Sequence, residues 1–254
     1  MITVNFNIVT AEDNIALGNH MFQYAICRLI AEKNNYNFYI PYGHYLIKVF
    51  PNLNLGINDG KIINTYQEAD TQKYNESIFD ISDFTNLNGY YQTDKYFNKN
   101  EEKVKSWFSI EIDEKTNFIL NKYPIDKYCY IHIRGGDYKI AGHSLLPKEY
   151  YQNAINKINE SKNEKKSFLI ITDDINLSKS YFPDIEAISN DVATDFKLLY
   201  FCKNIIMSNS SFSWWASWIS DKEISIAPNN WLNYNRPELG FHPIDINSNK
   251  FTFI

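Results

Sequence analysis

Cysteine and glycine are scarce in this chain of 254 residues, which contains three cysteines and nine glycines. Cys27, Cys129 and Cys202 each lie within an apolar stretch and lack the paired spacing of a disulfide framework or a zinc site. We therefore expect reduced, buried thiols, as in a cytoplasmic protein. A small fold held together by disulfides is excluded.

The chain also lacks an excess of positive charge and any long apolar run. Its net charge is −5 and its pI is near 5.6, which argues against a nucleic-acid partner because such proteins present a basic surface. The apolar runs are too short to cross a bilayer. Residues 1–8 alternate as a strand does, without a basic segment before an apolar block, so we expect no secretion signal and a cytoplasmic location.

What the chain does contain is a repeated alternation of apolar strands and helices. Hydrophobic residues make up 44% and aromatic residues 16%, enough for a folded core. A strand at about 2–9, a glycine-containing loop, an amphipathic helix and a strand at 37–40 form one βαβ pattern. From Tyr128 onward, continuous apolar strands separated by helices predict a parallel sheet that is buried on both faces.

Pro124 breaks the pattern between these two alternations. We therefore predict an α/β fold with an N-terminal unit at 1–124 and a C-terminal unit at 125–254. Residues 44–86 are rich in turn formers and show no clear periodicity, so no elements are assigned there.

Two strand ends in the second unit carry residues that suit an anion. The apolar stretch 204–207 runs into Ser208, Asn209, Ser210 and Ser211, and a helix with three tryptophans follows. Small hydroxyl residues at a helix start offer side-chain oxygens and backbone N–H groups, and the helix dipole there favours negative charge. Since the segment 132–137 ends another strand with an arginine and two glycines, the pair of strand ends suggests a diphosphate site.

Arg134 is the main candidate for contact with that diphosphate. A guanidinium grips phosphate oxygens with two parallel hydrogen bonds, and the glycines after it let the backbone approach a ligand. The alternative is an ion pair with Asp137 at the strand end. His132 shares the strand face of Arg134 and either contacts phosphate or ribose, or is a hydrogen-bonded core histidine.

Asp173 and Asp174 end another buried strand, where ligands of open α/β sheets bind. They could hold a divalent metal, fasten a loop, cap the next helix or accept hydrogen bonds from a ligand. The metal is the less favoured reading because no third carboxylate lies nearby in sequence. The tryptophans of the helix after Ser211 are expected to pack that helix on the sheet.

Read together, several segments resemble the α-1,2-fucosyltransferase family, and they occur in the family's order over most of the chain except roughly 42–86. The segments are Leu17-Gly18-Asn19-His20-Met21-Phe22-Gln23-Tyr24-Ala25, Asn88-Gly89-Tyr90-Tyr91-Gln92, His132-Ile133-Arg134-Gly135-Gly136-Asp137-Tyr138, Thr172-Asp173-Asp174, Asn209-Ser210-Ser211-Phe212-Ser213-Trp214-Trp215 and Ile226-Ala227-Pro228-Asn229-Asn230-Trp231.

The resemblance implies a GT-B architecture, with two Rossmann-like lobes and a cleft between them. The N-terminal lobe would serve the acceptor and the C-terminal lobe the GDP-sugar. It also implies inverting, metal-independent transfer of L-fucose from GDP-β-L-fucose to the 2-hydroxyl of a galactoside, with no cofactor. With no membrane anchor in the sequence, we expect a bacterial or viral enzyme that makes precursors of surface polysaccharide, with peripheral contact at the inner membrane face.

Carried over by position, Arg134 resembles the arginine on the donor β-phosphate and Ser211 a serine on the diphosphate. Asp195 resembles an aspartate that reads guanine, although it is as readily a helix N-cap after Thr194. The Gly18-Asn19 loop resembles one that closes over the donor. The predicted donor-binding set is completed by Asp173, Asp174, Asn209, Ser210 and Phe212, and the candidate catalytic residues are Arg134, His132 and Asp137.

The base that accepts the acceptor's proton is left open among Asp13, His20 and His143, each of which taken alone favours a surface or structural role. The chain departs from the family pattern at Gly135, where a second arginine is usual, and at Ala16 and His20. Loss of that arginine removes positive charge near the donor. The alternatives are therefore a transferase for another GDP-deoxyhexose and a catalytically silent GDP-sugar-binding protein.

Overall fold

Two parallel β-sheets organise the chain in a computed structural model, which describes residues 1–5, 16–41, 44–70, 72–136, 138, 145–161 and 165–254. The chain divides into two units. The first comprises Met1–Ile110 with His242–Ser248, and the second comprises Glu111–Phe241 with Asn249–Ile254. Each unit contains one parallel sheet with helices, so the predicted α/β class is confirmed.

The first unit has a four-stranded sheet whose strands all run parallel, in the order β2-β1-β4-β3. Its strands are β1 (Ile2–Val4), β2 (Phe38–Tyr39), β3 (Asn64–Gln67) and β4 (Thr85–Asn88). Its helices are α1 (Leu17–Asn34), α2 (His44–Ile47) and α3 (Glu101–Trp107), with 3-10 turns at Glu76–Asp80, Asp94–Tyr96 and Asn98–Asn100.

Helix α1 begins earlier and is buried more completely than its sequence predicts. The expected loop at Gly18 and Asn19 is wrong, because both lie in the first helical turn and the His20 N–H already donates to the Ala16 carbonyl at 3.0 Å. Gly and Asn disfavour helices intrinsically, yet burial of the surrounding side chains outweighs that preference. Most positions from Leu17 to Ala31 are buried, so this is a central helix rather than an amphipathic one.

The loop after β4 is fastened by a buried carboxylate. Glu68, which follows β3, is 6% exposed and accepts hydrogen bonds from the backbone N–H groups of Tyr90 at 2.7 Å and Tyr91 at 3.0 Å. Gly89 makes this approach possible, since a Cβ there would lie 2.4 Å from Glu68 Cβ. Strand β4 ends at Asn88, so this loop follows the strand directly.

The second unit has a six-stranded parallel sheet in the order β10-β9-β8-β5-β6-β7. Its strands are β5 (Tyr128–Ile133), β6 (Ser167–Thr172), β7 (Ala187–Ile188), β8 (Asn204–Ile206), β9 (Ile224–Ala227) and β10 (Thr252–Phe253). Its helices are α4 (Glu114–Lys122), α5 (Lys148–Ser161), α6 (Ile175–Tyr181), α7 (Val192–Phe201) and α8 (Ser211–Trp218), with a 3-10 turn at Pro237–Leu239.

The strand order of the second unit is that of a Rossmann fold. The chain runs outward from β5 through β6 and β7, then returns to the other side of β5 for β8, β9 and β10. The order reverses between β5 and β8, and open α/β sheets bind their ligands at such a switch point, beyond the carboxyl ends of the strands.

Helix α4 belongs to the second unit, whereas the sequence boundary at 124/125 assigned it to the first. Two ion pairs tie it to α7: Lys197 Nζ lies 2.6 Å from Asp113 Oδ2, and Lys115 Nζ lies 2.6 Å from Asp191 Oδ2. The units therefore divide between Ile110 and Glu111. Pro124 marks the turn after α4 rather than a division between units.

Packing of the second unit agrees with the sequence expectations for its apolar residues. Trp214, Trp215 and Trp218 are fully buried, and the rings of Trp214 and Trp218 stack at 5.9 Å. All three cysteines are free and buried. Among the described residues, no helix combines the length and apolar character that crossing a bilayer requires.

Candidate donor site in the second unit

The register of three neighbouring strands brings the predicted donor residues to one edge of the sheet. Strand β5 pairs with β6 through Ile133 and Thr172, and with β8 through Ile131 and Ile206. Arg134 follows β5 directly and Asp173 follows β6 directly, so the two residues leave the sheet side by side. The start of α8 follows β8 at the same edge.

Arg134 is held by Asp173. Its Nη1 lies 2.7 Å from Asp173 Oδ2, and both side chains are partly exposed, at 25% and 29%. The backbone N–H groups of Gly135 and Gly136 donate to Asp173 Oδ1 at 2.8 and 3.4 Å. The predicted alternative, an ion pair with Asp137, lies outside the described residues, but a strand-end ion pair does exist with a different carboxylate.

The two glycines face protein carboxylates rather than an open ligand site. A Cβ on Gly136 would lie 2.8 Å from Asp173 Oδ2, and one on Gly135 would lie 2.7 Å from Asp174 Cβ and 2.8 Å from Leu177 Cδ2. On the side where a Cβ would lie, these glycines make room for the two aspartates. Their close approach to a ligand stays a prediction. The family's second arginine would not fit at Gly135 without movement of its neighbours.

The adjacent aspartates have different roles. Asp173 fastens the loop after β5, whereas Asp174 is the N-cap of α6 and accepts a hydrogen bond from the Leu177 N–H at 2.9 Å. Both roles were among the alternatives drawn from the sequence. In the described part of the chain, no three His, Cys, Asp or Glu side chains form a cluster able to hold a metal ion. Metal independence stays a prediction.

His132 has the environment of a core histidine. It is 4% exposed, and its Nδ1 lies 2.8 Å from Ser208 Oγ, which joins β5 to the segment after β8. Burial lowers the pKa of His132 to about 3, although the nearby Asp173 charge acts in the opposite direction. The ring is therefore neutral at physiological pH and is poorly suited to carry a proton in the reaction.

The start of α8 is capped as the sequence predicts. Ser210 accepts a hydrogen bond from the Phe212 N–H at 3.3 Å as the N-cap, and Ser211 is the half-buried first residue of the helix. The Phe212 ring packs between His132 at 5.5 Å and Phe196 of α7 at 5.2 Å. Both contacts fix the helix start next to the end of β5.

Tyr138 connects Arg134 with the segment before α8, and the sequence analysis gave it no role. Its hydroxyl donates to the Asn209 carbonyl at 2.8 Å, and its ring centroid lies 5.9 Å from Arg134 Cζ. Asn209 itself is buried. In the sequence, this role could have been suspected because Tyr138 ends the segment that carries Arg134.

Asp195 lies in the first turn of α7 and is buried. Its carboxylate accepts hydrogen bonds from Asn190, from the backbone N–H at 3.1 Å and from Nδ2 at 2.9 Å. Burial raises its pKa to about 6. The alternative role as helix N-cap is wrong, because Asp191 holds that position and accepts from the Thr194 N–H at 2.9 Å.

The remaining candidates belong to the first unit or lie outside the described residues. Asn19 and His20 belong to the first unit, where Asn19 Oδ1 accepts from Gln92 Nε2 at 2.7 Å. Burial lowers the pKa of His20 to about 4, so its imidazole is neutral and only weakly basic. Asp13, Asp137 and His143 lie outside the described residues.

Comparison with known proteins adds the decisive observation. The sequence profile of Glycosyl transferase family 11 matches residues 5–239, which is most of the chain. The chain belongs to this family.

Two curated Escherichia coli proteins resemble this family 11 member. A protein named alpha-1,2-colitosyltransferase is 32% identical over 167 residues, which cover 59% of this chain and 57% of that protein. The O-antigen biosynthesis glycosyltransferase WbnK is 31% identical over 119 residues, which cover 41% of this chain and 39% of WbnK. The aligned part therefore spans about half the length of these relatives.

Solved structures show more distant likenesses. A crystal structure of POFUT1 in complex with GDP has a TM-score of 0.47 and 11% identity, with 87% of this chain and 94% of that chain covered. A structure of E. coli ADP-heptose lps heptosyltransferase II has a TM-score of 0.46 and 8% identity, with 100% of this chain and 89% of that chain covered.

Proposed function

We propose that this chain is an inverting glycosyltransferase that moves a 6-deoxyhexose from a GDP-sugar to a hydroxyl group of a glycan. The leading candidate reaction transfers L-fucose from GDP-β-L-fucose to the 2-hydroxyl of a galactoside, in the synthesis of a surface glycan. The observation that carries this proposal is the family match over 5–239, together with Arg134 and the α8 start at the switch point of a Rossmann-ordered sheet.

A second donor has specific support. The relative at 32% identity is named alpha-1,2-colitosyltransferase, and colitose is a fucose relative that lacks one ring hydroxyl. GDP-colitose is therefore the alternative donor, with the same linkage. The name of the second relative, an O-antigen biosynthesis glycosyltransferase, supports a surface-polysaccharide precursor as acceptor. Contact with this acceptor at the inner face of the membrane is part of the proposal.

The proposed chemistry depends on stabilising the departing GDP. The acceptor oxygen attacks C1 of the sugar from the side opposite the diphosphate, so the C1–O bond to GDP breaks and the configuration inverts. Negative charge collects on the β-phosphate as the sugar becomes oxocarbenium-like. The Arg134 guanidinium and the N–H groups at the start of α8 stabilise that charge in place of a cation.

In this proposal, Asp195 recognises the guanine base. An ionised carboxylate can accept two hydrogen bonds from the N–H groups on the edge of guanine. Each Asp195 oxygen accepts one hydrogen bond from Asn190, which leaves a second lone pair on each oxygen for a ligand. The base stays open among His20, Asp13 and His143. Transfer that depends mainly on leaving-group stabilisation needs little help from a base.

The test is incubation of the purified chain with GDP-fucose, GDP-colitose or GDP-mannose and a β-galactoside disaccharide, followed by mass and linkage analysis. We expect an α-1,2-linked deoxyhexose from one of the first two donors and unchanged turnover in EDTA. Stabilisation by GDP without any product would show a silent GDP-sugar-binding protein instead. A requirement for Mg²⁺ would contradict the proposed role of Arg134.

A further inference from the structure

We propose that Asp173 is a positioning residue, which orients the Arg134 guanidinium for the diphosphate without itself binding the donor. This inference rests on the proposed function, in which Arg134 contacts the donor diphosphate. It reassigns Asp173 from the predicted donor-binding set.

The sheet itself sets the Arg134–Asp173 pair. Strands β5 and β6 pair in parallel over six consecutive positions, and Ile133 with Thr172 is the last of them. Arg134 and Asp173 are the next residues on each strand. Their approach to 2.7 Å is therefore a consequence of strand register and does not depend on a flexible loop.

The Asp173 carboxylate is occupied by groups of its own chain. One oxygen takes Arg134 Nη1, and the other takes the N–H of Gly135 at 2.8 Å and, more weakly, that of Gly136 at 3.4 Å. A carboxylate with three donors of this kind is well satisfied, and a diphosphate would repel it. Asp173 is thus placed to hold the Arg134 guanidinium and the loop after β5, and its charge disfavours direct contact with an anionic ligand.

The glycine amides are used in the same way. The Gly136 N–H points at Asp173, and a Cβ on Gly136 would lie 2.8 Å from Asp173 Oδ2. A ligand phosphate could take these amides only if Asp173 moved away. In this proposal the contacts to the GDP-sugar at this strand end therefore come from the guanidinium, which the contact at Nη1 holds near Asp173.

Asp173→Asn is the informative variant, because it keeps the shape of the side chain and removes its charge. We expect it to weaken GDP binding about tenfold, within the range found for coupled neighbours, and to raise the KM for the donor. Asp173→Glu restores the charge and should recover part of the affinity. Asp113→Asn is the matched control, since Asp113 is also an ion-paired aspartate of the second unit, with Lys197 at 2.6 Å.

A double-mutant cycle on GDP binding, measured by calorimetry, separates positioning from direct contact. Asp173→Asn should weaken GDP binding in the unchanged chain and have little effect when Arg134→Ala is already present. An equal loss in both backgrounds, or no loss in either, would overturn the inference while Arg134→Ala alone still tests the proposed function. If the unchanged chain binds no GDP, the proposed function fails and this inference fails with it.

Discussion

The two units fasten a loop in the same way and differ in one charged group. In the first unit Glu68 follows β3 and holds the amides after Gly89 at the end of β4. In the second, Asp173 follows β6 and holds the amides of Gly135 and Gly136 beyond the end of β5. In each case the carboxylate and the amides leave neighbouring parallel strands together.

The difference is the arginine. Glu68 is buried, and burial raises its pKa although the hydrogen bonds from the Tyr90 and Tyr91 amides act in the opposite direction. Asp173 is partly exposed and pairs with Arg134. A carboxylate that follows a strand can thus hold a loop by accepting hydrogen bonds from its amides. Where an arginine lies beside the carboxylate, the same carboxylate also holds the candidate phosphate-binding group.

The largest expected effect comes from removing that guanidinium. Arg134→Ala should lower kcat by about 100-fold or more, as the loss of one preorganised donor to a developing anion does in other enzymes. Arg134 is partly exposed, so the folded state should survive, which thermal unfolding checks. Arg236→Ala, at an exposed position of the same unit, is the control. Near-normal transfer by a folded Arg134→Ala variant would contradict the proposed role of Arg134, and with it the functional difference between the two loops.

Alanine in place of Gly89 in the first unit and of Gly136 in the second should have different effects. In Gly89→Ala the new Cβ would lie 2.4 Å from Glu68 Cβ, close to the backbone, so we expect a loss of about 1–3 kcal/mol of stability. In Gly136→Ala the contact is with the end of the Asp173 side chain at 2.8 Å, which can shift. That variant should unfold near the normal temperature and bind GDP more weakly. The reverse pattern would contradict the comparison.

Asp195 tests whether a buried carboxylate that accepts hydrogen bonds from Asn190 can also bind a ligand. Its pKa of about 6 lies above the ordinary 3.8, so the group is protonated below pH 6 and ionised above it. Because guanine N–H groups need the ionised form, GDP affinity should rise several-fold as the pH increases through about 6 and then level off. Asp195→Asn keeps the titration of the ligand phosphate and should lose this part of the rise, measured by calorimetry from pH 5 to 8.

The smallest effect concerns Glu68 and stability. Its folded-state pKa is raised above the ordinary 4.5, so the folded protein binds this proton more tightly than the unfolded chain. The contribution of Glu68 to stability is therefore greatest below pH 4.5 and is lost as the pH rises through the folded pKa. Glu68→Gln should flatten that part of the stability profile, which urea unfolding at several pH values measures. An unchanged slope would point to other groups.

The sequence predicted the second unit better than the first, for identifiable reasons. Strands β5, β6 and β8 are apolar runs with polar residues at their ends, so both the sheet and its ligand-binding edge were visible. Strand β3 has the sequence NTYQ and is mostly exposed, so it carries no hydrophobic signal and Glu68 could not be found beside it. The start of α1 was missed because burial outweighed the local preferences of Gly18 and Asn19.

What the sequence did not show at the site depends on contacts between residues that are far apart in the chain. Asp173 is a partner of Arg134 that the structure describes, and strand pairing brings it from the next element. The predicted alternative, Asp137, lies outside the described residues. Asp195 and Asp191 are both aspartates near the start of α7, and only the hydrogen bond to Thr194 distinguishes the cap from its neighbour. Such contacts depend on register and helix phase, which residue types alone do not specify.

The enclosure of Gly135 has a consequence for engineering and for divergence within the family. Because Asp174 and Leu177 lie beside it, any side chain at Gly135 must displace these neighbours. An arginine installed there to restore a second positive charge would therefore press on the residue that caps α6. The number of arginines at this strand end is thus linked to the packing of the helix start beside it.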